Sequence, residues 1–169
     1  MQILRHFSIL ALLLISLAVL QGCGFHLRGE TSLPANMKVL KLQGISTNSA
    51  FGAELASVLR GNGVKLVDTP QEAEAILRVT NLQNDRRVLS VSGNTGRVRE
   101  FEIIVSLNMA VTDTKGKSLI PAKVLSRVRD YTFDETDVLG KAAEEQVLRQ
   151  EMRRELIQQI LRRMRVNAG

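Results

Sequence analysis

From Phe101 to Val111 every second residue is apolar: Phe101, Ile103, Val105, Leu107, Met109 and Val111. Glu100, Glu102, Ser106, Asn108 and Thr112 make the alternate positions the more polar set. A period of two with one greasy side predicts a strand with one face buried and the other polar. Similar alternation predicts strands over 75–93 and 122–133, the first bulged near Asn84–Asp85 and the second starting at Pro121. GNTG (93–96) and DTKGK (113–117) punctuate these runs as hairpin turns. KVLKL (38–42) and VKLV (64–67) read as a short strand and a further short strand or edge piece.

Two stretches change to the helical period. In 48–63, Phe51, Leu55, Val58 and Leu59 share a face, Asn48 or Ser49 can cap the start, and Gly61 and Gly63 end it. The run 134–165 reads as one long helix, with Asp134, Glu135 and Asp137 at its positive end and Arg162, Arg163 and Arg165 at its negative end. Its apolar stripe joins Val138, Leu139, Ala142 and Ala143 to Leu156, Ile157, Ile160, Leu161 and Met164. Gln146, Arg149, Gln150 and Arg153 break that stripe. Either the contact shifts to Val147, Leu148 and Met152, or the middle faces a polar partner. The order strand, helix, strand, strand, strand, helix predicts an α+β fold. Two helices would pack on one face of a mostly antiparallel four-stranded sheet.

The first residues follow neither period. Arg5 precedes an apolar run, Ile9–Leu20, too short for a spanning helix, which needs roughly 20 residues. It reads as a signal peptide, residues 1–22, with LQGC (20–23) as a lipobox cleaved before Cys23. The Cys23 thiol is then the lipidation site. Several acyl chains anchor firmly where one is marginal. The organisation expected is a signal peptide (1–22), a lipidated tether (23–37) and a single domain (38–169).

Composition limits the chemistry. The chain of 169 residues carries one cysteine, two histidines and a formal charge of +6. Cleavage before Cys23 leaves His26 as the remaining histidine, too few groups for a metal site or a Ser/His/Asp set. No catalytic residue, metal or cofactor is expected. Arg86, Arg87, Arg97, Arg99, Arg127, Arg129 and Lys141 suit phosphate recognition. They equally suit edge charges that oppose aggregation. An exported lipoprotein does not meet nucleic acid, so anionic lipid or lipopolysaccharide is the anion at hand.

CGFHLRG (23–29), LPANMKVL (33–40), SVSGNTGRVREFEI (90–103) and DETDVLGKAAEEQVLRQEM (134–152) together resemble the LptE family of lipopolysaccharide-assembly lipoproteins. The resemblance implies an outer-membrane lipoprotein facing the periplasm. It implies a partner, the LptD β-barrel, which the domain plugs and helps to assemble. It further implies lipopolysaccharide binding by Lys141 and by a hairpin cation, Arg97 first and Arg99 second. A pilot or assembly lipoprotein that never touches lipopolysaccharide is the alternative.

Overall fold

The fold is described from a computed structural model covering residues 33–166. The expected signal peptide, Cys23 and His26 lie outside these residues. The element order is β1 (Val39–Gln43), α1 (Ala50–Gly61), β2 (Lys65–Val67), β3 (Ala75–Val91), β4 (Val98–Asp113), β5 (Ser118–Thr132) and α2 (Val138–Val166). Leu33 and Met37, within the segment expected to be tether, are buried in the core.

The sheet has five strands in the order β2-β1-β3-β4-β5, and it is mixed. That corrects the four-stranded, mostly antiparallel expectation. A strand–helix–strand connection returns the chain to its starting end, so β1, α1 and β2 form a parallel pair. Strand β1 is also parallel to β3. The antiparallel part is the β3–β4–β5 meander.

The lengths shape the molecule. Of β3, only Ala75–Arg78 pairs with β1, while β3 runs on to Val91. The distal half of the meander is therefore a three-stranded ribbon beyond the rest of the sheet. Helix α2, 29 residues and about 43 Å long, lies along the meander. Side chains fix it at two places: Glu145, two turns in, meets Arg86 of β3, and near the C-terminal end Arg165 Nη2 donates to Asn62 Oδ1 beyond α1 at 2.6 Å.

One apolar layer unites these parts. Ala75, Leu77 and Val79 of β3 and Ile103, Val105, Leu107, Met109 and Val111 of β4 face Phe51, Leu55 and Leu59 of α1. The second half of α2 adds Met152, Leu156, Ile157, Ile160, Leu161 and Met164. Ser49 caps α1, accepting from Gly52 N at 3.1 Å, and Gly63 turns the chain out of it at φ +78°.

Several local expectations shift. The register of β3 slips not near Asn84–Asp85 but at Asn81 (φ 54°), between Thr80 and Gln83, and again between Val88 and Val91. Asparagine tolerates the left-handed region, so it takes the extra residue. Strand β5 starts at Ser118 and runs through Pro121, because an edge strand does not need that residue's missing donor. Helix α2 begins at Val138, not at 134. Asp134 accepts from Thr136 N at 2.9 Å and Asp137 from Gly140 N at 3.1 Å, so these carboxylates build a capping turn. Those bonds, from the Thr136 backbone first, hold Asp134 below its ordinary range.

The first half of α2 departs most. Val138 and Leu139 are exposed, Leu139 by 86%, instead of joining the core stripe. The contact passes to Leu148 and Met152, while Val147, the third residue expected to take it over, is exposed.

Candidate functional site: the distal tip

The β3–β4 hairpin and the start of α2 meet at one end of the molecule. Ser92 N donates to Arg97 O at 2.7 Å and Gly96 N to Ser92 O at 2.8 Å, closing the turn. Gly96 stands at φ +68°, a value glycine adopts without strain. Phe133 N donates to Arg99 O at 2.7 Å, tying the end of β5 to the hairpin. The Arg97 guanidinium reaches Glu135, in the capping turn of α2, at 3.2 Å. Lys141 lies one turn further on and pairs with Glu144 at 2.8 Å. Arg99 is exposed and has no ion-pair partner among the described residues. Thus the three cations singled out in the sequence gather around one loop, 133–137, and two of them are held by carboxylates of their own chain.

The remaining strand arginines have another role. By register, Arg86, Arg127 and Arg129 stand on the helix-bearing face opposite or beside Ile103 and Val105. Arg127 and Arg129 both pair with Glu155 of α2, at 2.8 and 2.6 Å. Arg86 pairs with Glu145 at 3.0 Å and lies 4.4 Å from the Phe101 ring centroid. The carboxyl of Glu145 also accepts from Tyr131 Oη at 2.7 Å and pairs with Arg149 at 2.7 Å. Phe101 stacks on Tyr131 and meets Phe133 edge-on. These groups replace the apolar seam where the helix stripe is broken. The polar partner of the middle of α2 is the sheet itself. Glu145 is the centre of that clamp.

Electrostatics agree with the geometry. Burial works against ionisation of Glu145, but the bonds from Tyr131, Arg149 and Arg86 outweigh it and hold its carboxyl below the ordinary range. The bond to Glu145 raises Arg86 further. Burial, then the bond to Glu145, raises Tyr131. Arg87 is on the other face, paired with Glu102 at 2.5 Å. Among the described residues no three His, Cys, Asp or Glu side chains converge as metal ligands.

The profile of the LptE family, described as lipopolysaccharide-assembly, matches residues 37–164. This chain belongs to the LptE family. The LPS-assembly lipoprotein LptE of Pectobacterium atrosepticum is 30% identical over 163 residues, covering 95% of this chain and 86% of that protein. The protein of the same name from Yersinia enterocolitica is 29% identical, covering 96% and 78%. Among solved structures, lipoprotein B of Nitrosomonas europaea superposes with a TM-score of 0.69 at 31% identity, covering 82% of this chain and 88% of that one. Rare lipoprotein B of Shewanella oneidensis gives 0.65 at 30%, covering 75% and 92%. The chain is thus an LptE-family lipoprotein of lipopolysaccharide assembly, and both the tip and the Glu145 clamp lie inside the matched segment.

Proposed function

We propose that the domain plugs an LptD-type outer-membrane barrel, assists its assembly and holds lipopolysaccharide at the distal tip during insertion into the outer leaflet. Cleavage before Cys23 and acylation of its sulfur anchor it to the outer membrane on the periplasmic side. Relatives named LPS-assembly lipoproteins support the process. The observation that carries the site is the gathering of Arg97, Arg99 and Lys141 around loop 133–137. Guanidinium and ammonium groups on two rigid elements suit phosphates of a glycolipid, which compete with Glu135 and Glu144 for the same cations. The role needs no catalytic group. It needs a rigid, charged body and an exchangeable ionic site.

The self-pairing of Arg97 and Lys141 favours a second reading, an assembly or pilot lipoprotein that escorts a barrel without binding lipopolysaccharide. Titration of the mature lipoprotein with lipopolysaccharide separates the two. Arg97→Asp and Lys141→Asp should each weaken binding about tenfold or more, since a charge-assisted bond contributes roughly 1.5–3 kcal/mol. Arg60→Asp, at the end of α1, should leave it unchanged. Equal binding by all four proteins, or none by the wild type, supports the pilot reading.

A further inference from the structure

The two ends of the sheet differ. One end is β2, three residues long. The other is β5, whose register against β4 runs without a slip from Lys123 to Thr132. Strand β3 also has an open side beyond Arg78, but it slips at Asn81 and again before Val91. Short or bulged edges discourage further strands, as does proline. The run 124–132 is long and regular, and Pro121 stands outside it.

The backbone along this run is turned outward at alternate residues. Phe133 N donates to Arg99 O, so 99 and 133 are a hydrogen-bonded pair. Such pairs alternate along an antiparallel ladder. Leu125, Arg127, Arg129 and Tyr131 therefore turn their N–H and C=O groups toward β4. Val124, Ser126, Val128, Asp130 and Thr132 turn theirs away from the sheet. From Val124 to Thr132 this open ladder is about 27 Å long. On the face away from the helices, Val124 is 63% and Val128 45% exposed.

Cations dominate the same edge on the helix-bearing face. Lys123, Arg127 and Arg129 stand there by register, opposite Met109, Val105 and Ile103. Arg127 and Arg129 share one carboxylate, Glu155. Lys123 has no ion-pair partner among the described residues. A second copy does not suit this edge. Antiparallel self-pairing centred anywhere from Leu125 to Arg129 sets one of these cations directly opposite another, and like charges so placed repel. A strand with acidic side chains at those positions is complementary.

We propose that this edge takes up an extended segment of another protein as a sixth strand, antiparallel to β5. That segment carries acidic residues opposite Lys123, Arg127 and Arg129 and apolar residues opposite Val124 and Val128. Main-chain bonds give such a complex its affinity, and alternate side chains give it selectivity. The added strand takes over Ser126 O, which otherwise accepts from Arg127 Nη1 at 3.0 Å. The surface is distinct from the tip cations, and its occupancy does not require lipopolysaccharide.

The test titrates an end-blocked peptide, Glu-Val-Glu-Thr-Thr-Val-Glu, into the mature lipoprotein in detergent, with amide exchange followed by nuclear magnetic resonance. Exchange at Val124, Ser126 and Val128 should slow about tenfold or more, while Leu125 and Arg127, already bonded to β4, should not change. The peptide with Lys for every Glu should not bind. Nor should the acidic peptide N-methylated at both Val residues, a control that leaves the protein untouched. Lys123→Glu should weaken binding about tenfold, with the thermal melt unchanged. Unaltered exchange at Val124, Ser126 and Val128 in excess acidic peptide overturns the proposal. Equal binding of the basic or the N-methylated peptide does so too, since either means adhesion without a strand. Slow exchange at these amides without peptide, rising with protein concentration, gives the edge to a second copy and also overturns it.

Discussion

Glu145 is the residue on which the distal half of the molecule turns. One carboxyl there serves Arg86, Arg149 and Tyr131 together. Replacing one of its oxygens by an amide NH2 sets a donor against donors at a half-buried seam and removes the charge both arginines pair with. Glu145→Gln should therefore lower stability by about 1–3 kcal/mol in urea unfolding at neutral pH. Because the folded carboxyl titrates below its ordinary value of 4.5, its contribution is present above that value. It is lost as pH falls through the folded value. The gap between wild type and Glu145→Gln should be constant from neutrality to about pH 5 and shrink in more acid solution. A gap that grows on acidification contradicts the clamp. Gly52 offers a purely steric counterpart. A Cβ there would run into the Ser46 carbonyl oxygen beneath the first turn of α1. Gly52→Ala should lower the melting temperature, at about 1–3 kcal/mol, despite alanine's better helix propensity. In the sequence, Ser49 as a cap and Gly63 as a stop were legible, because capping chemistry is local. Glu145 was not, since its partners come from β3 and β5, 59 and 14 positions away.

Helix α2 behaves as two elements end to end. Its second half buries six large side chains, while Val138, Leu139 and Val147 of its first half stay exposed. Leu156→Ala should cost about 2–5 kcal/mol, and Leu139→Ala less than about 0.5 kcal/mol, measured by the same unfolding curves. Equal losses would mean that the first half is packed like the second. The sequence showed the break in the stripe, because Gln146, Arg149, Gln150 and Arg153 interrupt a period of 3.6. It did not show that the sheet itself supplies the polar counterpart. The strands were legible where alternation is long, as in β4. Strand β2 has three residues, too few for a period, and its parallel pairing with β1 depends on the path of α1 rather than on its own residues. That is why the sheet is wider and more mixed than the pattern implied.

At the scale of the molecule, the two faces of the sheet do different work. One is sealed by α1 and α2 over an apolar layer and an ionic clamp. The other carries Arg87, Glu102, Ser106 and Asn108 toward the surroundings, as the alternation of β4 implied. A charged, polar exterior around a rigid core is what a water-filled barrel lumen tolerates. The hairpin turn and the helix start were each visible in the sequence, but their meeting at one end of the molecule was not, since it is made by contacts such as Arg97 to Glu135 across the fold. Nor could the sequence show that Glu135 and Glu144 occupy two of the tip cations. If lipid phosphates displace those carboxylates, affinity at the tip should fall steeply with ionic strength, and surface plasmon resonance at rising salt should resolve this. The central claim is that this end of the molecule touches lipopolysaccharide inside a barrel. Photocrosslinking from position 97 in living cells tests it most directly. The account predicts adducts carrying lipopolysaccharide, lost when Lys141→Asp is introduced. Adducts with the barrel protein alone, unchanged by Lys141→Asp, would contradict it.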